Sequence, residues 1–104
     1  MSYRLIIDPA ARLDIIESIR WYNEQKPGLG RRYYSSLKQA MKLIKKGPEM
    51  FQILYKTLHM VPLEKFPFMI LYQVDQAKKL VAVAAVLHTS RNPKIWEERT
   101  GKSQ

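Results

Sequence analysis

The run Leu80-Val81-Ala82-Val83-Ala84-Ala85-Val86-Leu87 contains no polar side chain. A strand with one wet face alternates apolar and polar residues, and this one does not, so it is expected at the centre of a sheet, covered on both sides. The remaining chain must then supply its neighbours and its covers. Phe68 to Val74 reads as the preceding strand, with Phe68, Ile70, Tyr72 and Val74 on one face and Met69, Leu71 and Gln73 on the other. Asp75-Gln76-Ala77-Lys78-Lys79 is the hairpin turn between them. Phe51 to Val61 is expected to form one earlier strand. Tyr3 to Ile7 alternates with a period of two and reads as a half-buried first strand.

Between the first strand and Phe51 the periodicity is helical. Asp8-Pro9 starts a helix expected to run from Pro9 to Gln25, with Asp8 capping an orphan amide and Pro9 at the first position, where its missing N–H costs nothing. Ile15, Ile16, Ile19 and Tyr22 fall on one face with Leu13 at its edge, and Trp21 projects almost oppositely, near Asp14 and Glu17. Trp21 then either fills a contact with the second helix or stands exposed as an anchor for a partner. Lys26-Pro27-Gly28-Leu29-Gly30 interrupts the helix. A second helix is expected from Arg31 to Lys46, stopping at Gly47-Pro48, with Tyr33, Leu37, Ala40, Met41 and Ile44 as its apolar stripe. So short a connection predicts an antiparallel helical hairpin. Asn92-Pro93 opens a short final helix holding Trp96, and residues 100–104 are expected to fray.

These elements predict one α+β domain over 1–104: a small antiparallel sheet in β-α-α-β-β-β order, an N-terminal helical hairpin packed on one face, and a short C-terminal helix. No apolar stretch approaches the roughly 20 residues of a membrane span, and the first is too short for a signal-peptide core, so the expected location is the cytoplasm. The absence of cysteine and the presence of only two histidines argue against a metal site or other cofactor.

Eighteen Lys and Arg against nine Asp and Glu give a net charge of +9, which suits an acidic protein or a nucleic acid as partner. On the second helix Arg31, Lys38, Lys42, Lys45 and Lys46 fall within about 100° of one another, opposite the apolar stripe. No acid lies between Arg31 and Lys46, and like charges four apart each cost about 0.2–0.5 kcal/mol. The face is either solvated or docks an acidic surface. A second group comprises Lys56, Lys65, Arg91 and Lys94. Strand alternation keeps Lys56 from converging with all the others. Arg91 follows the expected central strand, where it either presents its guanidinium to a phosphate or carboxylate or pairs with Glu97 or Glu98.

The order of motifs is itself informative. Lys65-Phe66-Pro67-Phe68 precedes the apolar hairpin, and Leu87-His88 with Arg91, Pro93 and Trp96 closes it; upstream stand Asp8-Pro9-Ala10, Trp21-Tyr22-Asn23-Glu24-Gln25 and Lys26-Pro27-Gly28-Leu29-Gly30. Over residues 3–96 this order resembles the RelE/ParE superfamily of bacterial type II toxins, and its ParE-like branch, the plasmid stabilisation proteins. The resemblance implies the same fold and a toxin that interferes with DNA gyrase. It also implies neutralisation by a cognate acidic antitoxin. From charge and helical phase, Arg31, Lys38, Lys42, Lys45, Lys46 and Trp21 are the expected antitoxin-binding residues, and Arg91, Lys94 and Lys65 the expected target-binding ones. The alternative within the superfamily is a RelE-like endoribonuclease acting on ribosome-bound mRNA, for which His88, Arg91, Lys65 and His59 are the catalytic candidates. With no tyrosine after Tyr72, that set is incomplete for the ribonuclease. A third possibility is a non-toxic module that only binds an antitoxin. The oligomeric state and the proximity of His59 to His88 stay open.

Overall fold

The computed structural model describes residues 3–90; the expected final helix, with Arg91, Lys94 and Trp96, lies outside them. Strand β1 (Arg4–Ile7) runs into helix α1 (Pro9–Gln25). Pro9 opens the helix as expected, but the Asp8 carboxylate makes no capping hydrogen bond. Asp8 is still tied to the sheet, its backbone N–H donating to Val83 O at 3.0 Å.

Helix α2 (Leu29–Lys46) begins two residues before the expected Arg31. Gly28, with φ 89, alone makes the turn. Gly30 is inside the helix for a different reason. A Cβ there would lie 2.7 Å from the Asn23 side chain and from Ile19 O, so the glycine permits close approach of the two helices. Asn23 Oδ1 accepts from the Gly30 N–H at 2.9 Å and fixes that crossing.

The sheet has five strands in the order β1-β5-β4-β3-β2, formed with β2 (Ile53–Tyr55), β3 (Leu58–Pro62), β4 (Phe68–Asp75) and β5 (Leu80–His88). β1 lies parallel to β5 and the other pairs are antiparallel. The expected single strand from Phe51 to Val61 is therefore a tight hairpin, which adds a strand to the expected order. Lys56 turns it with φ 52, a conformation that sequence reading reserves for Gly or Asn. The apolar run forms β5, which is interior but one strand from the edge.

β4 and β5 change register between Leu71, opposite Ala85, and Tyr72, opposite Val83, so Ala84 is an extra residue in β5. The shift keeps Val81, Val83 and Val86 in the core beneath the helices and turns Ala85 and Leu87 to the other face. It also returns His88 to the helix side, opposite Phe68.

The main core joins Ala11, Ile15 and Tyr22 of α1, Tyr33, Leu37, Ala40 and Ile44 of α2, and the helix-facing strand residues. Ile16 and Leu13 are exposed, against the expected α1 stripe. Ala11, at 0% exposure, instead sets the buried face, because its small side chain lets α1 lie close to the sheet. A 3₁₀ turn (Pro48–Met50) is held to this core by the Tyr72 hydroxyl, which donates to Pro48 O at 2.6 Å. Gln76 accepts from Tyr3 Oη at 3.1 Å and donates to the Glu49 carboxylate, clasping the last hairpin to the residue before β1 and to the 3₁₀ turn after α2. Among the described residues no helix is long and apolar enough to cross a membrane.

Candidate functional site

Where β1 ends opposite Val83, β5 continues to His88 alongside α1. Here Asp14, Glu17 and Trp21 of α1 face Pro67, Phe68, Leu87 and His88 across a groove of about 440 Å³. The spacing 14, 17, 21 puts the three helical residues on one strip of α1. Trp21 is 53% exposed and packs edge-on against Tyr22, with ring centroids 5.1 Å apart. It is a half-exposed aromatic that lines the groove.

The two histidines do different things. His88 Nδ1 accepts from the backbone N–H of Ser90 at 3.1 Å, and Ser90 Oγ lies 2.8 Å from the same nitrogen. The ring's basic nitrogen is thus occupied, and the proton of the neutral ring sits on Nε2. Two carboxylates line the groove that holds it. That arrangement disfavours a phosphate near His88. His59 Nδ1 donates to Phe51 O at 2.9 Å, and its ring stacks on Tyr72 at 5.0 Å. It pins the start of β2 to the core. His59 pairs with Tyr72 and His88 with Phe68, four residues apart on β4. At about 3.3 Å per residue, that separates them by ~13 Å along the strand direction alone. They do not meet.

Behind the groove the aromatic cluster Tyr22, Tyr33, Phe66 and Phe68 fills the end of the core, with ring centroids 5.0–5.9 Å apart. The Tyr33 hydroxyl is buried without a well-formed hydrogen bond, while Ser18 Oγ donates to Asp14 O at 2.7 Å. Burial pushes Tyr33 up to about 12, with Ser18 pulling weakly down and Tyr22 and Asp14 adding to the rise.

On α2 the predicted stripe is intact: Arg31, Lys38, Lys42, Lys45 and Lys46 are all exposed. Lys38 Nζ rests 5.0 Å from the centre of the Tyr34 ring, itself 42% exposed. The stripe is a cationic face with an aromatic within it.

Lys65 is exposed on the connection between β3 and β4. Two bonds close that connection, from Leu63 N to Phe68 O at 2.9 Å and from Phe68 N to Phe66 O at 2.7 Å. Thr89 N donates to Pro67 O at 2.9 Å, so the Lys65 loop and the end of β5 are neighbours. Lys65 and His88 therefore share one end of the sheet. Lys56 sits in the β2–β3 turn over the Tyr55 ring, 5.3 Å from its centre. Asp14 and Glu17, the acidic wall of the groove, were not singled out as site residues from sequence. The available signal was their helical spacing from Trp21.

Residues 5–93 match the family model described as the ParE toxin of the type II toxin-antitoxin system, parDE. The chain belongs to the ParE toxin family. Solved structures agree on the fold. The chromosomal ParDE toxin-antitoxin system from P. aeruginosa superposes with a TM-score of 0.73 at 13% identity, over 84% of this chain and 96% of that one. The isolated E. coli RelE toxin gives 0.62 at 20% identity over 99% and 100%. The RelBE2 complex from Mycobacterium tuberculosis gives 0.62 at 15% over 85% and 99%. No curated protein sequence matches the chain. In this ParE-family chain the groove with Trp21, the α2 stripe and Lys65 at the end of the sheet are all open to solvent.

Proposed function

We propose that this ParE-family toxin arrests growth by binding DNA gyrase in the bacterial cytoplasm and is held inactive by an acidic antitoxin. The observation that carries the reading is the match to the ParE toxin family over residues 5–93. The chemistry around His88 supports it. A ribonuclease working through a 2′-hydroxyl needs a free base and cations for the developing phosphorane charge. His88 instead has its basic nitrogen engaged by Ser90, beside two carboxylates.

The antitoxin surface is the α2 stripe, Arg31, Lys38, Lys42, Lys45 and Lys46, with Trp21 as an apolar anchor. An acidic segment gains from five exposed cations on one face, and an exposed Trp is a residue type that often carries interface energy. On the target side we assign Lys65, Arg91 and Lys94; Lys65 and the end of β5 that leads to Arg91 are neighbours, so one partner can reach both. The assemblies that crystallised as ParDE and RelBE complexes support an antitoxin partner.

Incorporation of labelled thymidine, uridine and methionine in the first minutes after induction, in a bacterium without the antitoxin, tests the reading. DNA synthesis failing first is expected. Protein synthesis failing first would replace gyrase by the ribosome, and no effect on any label would leave an antitoxin-binding module.

A further inference from the structure

Helix α2 presents more than a row of charge. Tyr34, Ser35 and Gln39 share the helical phase of the stripe that runs from Arg31 to Lys46, and all three are exposed. Every side chain on this face therefore ends in a hydrogen-bond donor; none ends in a carboxylate and none is aliphatic. The first acid after the stripe, Glu49, is already engaged by the Gln76 side chain. Lys38 Nζ, 5.0 Å from the centre of the Tyr34 ring, is held over the face by a cation–π attraction that leaves its charge in place.

This composition separates two kinds of acidic partner. A protein interface closes around an apolar centre from which lysine is depleted. Here the exposed apolar anchor stands on α1, at Trp21, and not within the stripe. The phosphate backbone of a nucleic acid takes hydrogen bonds from Arg and Lys together with Ser, Gln and Tyr, which is the set on this face. Length and shape separate DNA from RNA. From Arg31 to Lys46 the face extends about 22 Å at ~1.5 Å per residue. The major groove of B-DNA is about 12 Å wide and admits a helix, so cations at both ends of α2 reach the two backbones that flank it. The major groove of an RNA duplex is deep and narrow, and closed to such a helix.

We infer that the α2 stripe is a sequence-independent contact for the backbone of duplex DNA. The inference goes beyond the proposed function and rests on it only for the seat of the antitoxin. An acidic antitoxin laid on the stripe excludes DNA from it, so neutralisation includes withdrawing the toxin from DNA. Gyrase holds DNA as its substrate. In the proposed assembly the toxin meets enzyme and substrate with different surfaces, the Lys65 end of the sheet and the outer face of α2.

Anisotropy of a short fluorescein-labelled DNA duplex of random sequence, titrated with the purified full chain at several salt concentrations, tests it. Binding is expected, with log Kobs falling against log salt at a slope of about −4 to −5, from about −0.9 for each phosphate neutralised by the five cations. Lys38→Glu with Lys42→Glu should weaken binding by about tenfold or more and flatten the slope by about 2. Lys38→Gln with Lys42→Gln, which keeps good helix formers, should fall between that pair and the native chain. Lys56→Glu with Lys78→Glu makes the same change in net charge at exposed positions off the stripe. It should change binding by less than about threefold, since salt screens distant exposed charges. Equal losses in the two Glu pairs would reduce the effect to net charge and overturn the inference. Absence of binding at low salt, or an RNA duplex bound more tightly than DNA, would also overturn it. The assay contains neither gyrase nor antitoxin, so a chain that inhibits gyrase without binding DNA would sink this inference and leave the proposed function standing.

Discussion

Asp14 of α1 accepts a hydrogen bond at 3.0 Å from the main-chain N–H of Val86, across 72 positions of sequence. β1 ends opposite Val83, so this carboxylate serves the β5 edge where no described strand does. A buried amide left without an acceptor costs about 1–3 kcal/mol. Asp14→Leu should therefore destabilise the fold by that amount in urea unfolding. Asp14→Asn, which keeps an acceptor oxygen, should cost under ~1 kcal/mol.

Tyr33 and Tyr72 are both fully buried, but only Tyr72 has its hydroxyl satisfied, by Pro48 O at 2.6 Å. Tyr33→Phe should thus be neutral or stabilising by up to about 1 kcal/mol, while Tyr72→Phe should cost about 1–2 kcal/mol by stranding the carbonyl. The folded state holds the Tyr33 proton up to about 12, against an ordinary value of 10.0. Its contribution is intact below pH 10 and is lost as pH rises from 10 to about 12. Burial raises Tyr72 in the same direction. Thermal unfolding across that range should show falling stability in the native chain and a shallower fall in Tyr33→Phe.

Reversing Lys38 and Lys42 to Glu should weaken the complex with the cognate antitoxin by roughly tenfold or more, about 1.4 kcal/mol, and flatten its salt dependence. Trp21→Ala should weaken it by more than ~1 kcal/mol while changing folding stability by less than that. Titration calorimetry at two salt concentrations reads both effects. Unchanged affinity and slope would mean that the stripe only faces solvent.

The stripe is also where sequence was most legible. A helix with an apolar face and no interior acid has one way to orient, and the observed cations are exposed as expected. The alternation of Phe68 to Val74 likewise gave the two faces of β4 correctly. What the sequence hid were backbone decisions. The left-handed turn at Lys56 and the extra residue at Ala84 leave no mark in composition, since a Lys and an Ala in apolar strands carry no turn signal. The second of these decides the site, because it returns His88 to the helix side beside Trp21. Helical phase placed Trp21 near Asp14 and Glu17 but could not say that β5 would form the other wall.

His88→Ala should leave growth arrest by the induced protein essentially unchanged, because the His88 Nδ1 serves to order Ser90. A cleavage assay on ribosome-bound mRNA should detect no product from either chain. A loss of arrest on this substitution, in a protein that still folds and binds antitoxin, would restore the ribonuclease reading.

Supercoiling of relaxed plasmid by purified gyrase is the direct test of the proposed target. The native chain should inhibit the reaction in proportion to its concentration, and the antitoxin should restore it. A chain carrying Lys65→Glu and Arg91→Glu should inhibit at least ten times less while still binding antitoxin. Full supercoiling in the presence of a large excess of folded toxin, with antitoxin binding intact, would rule gyrase out as the target.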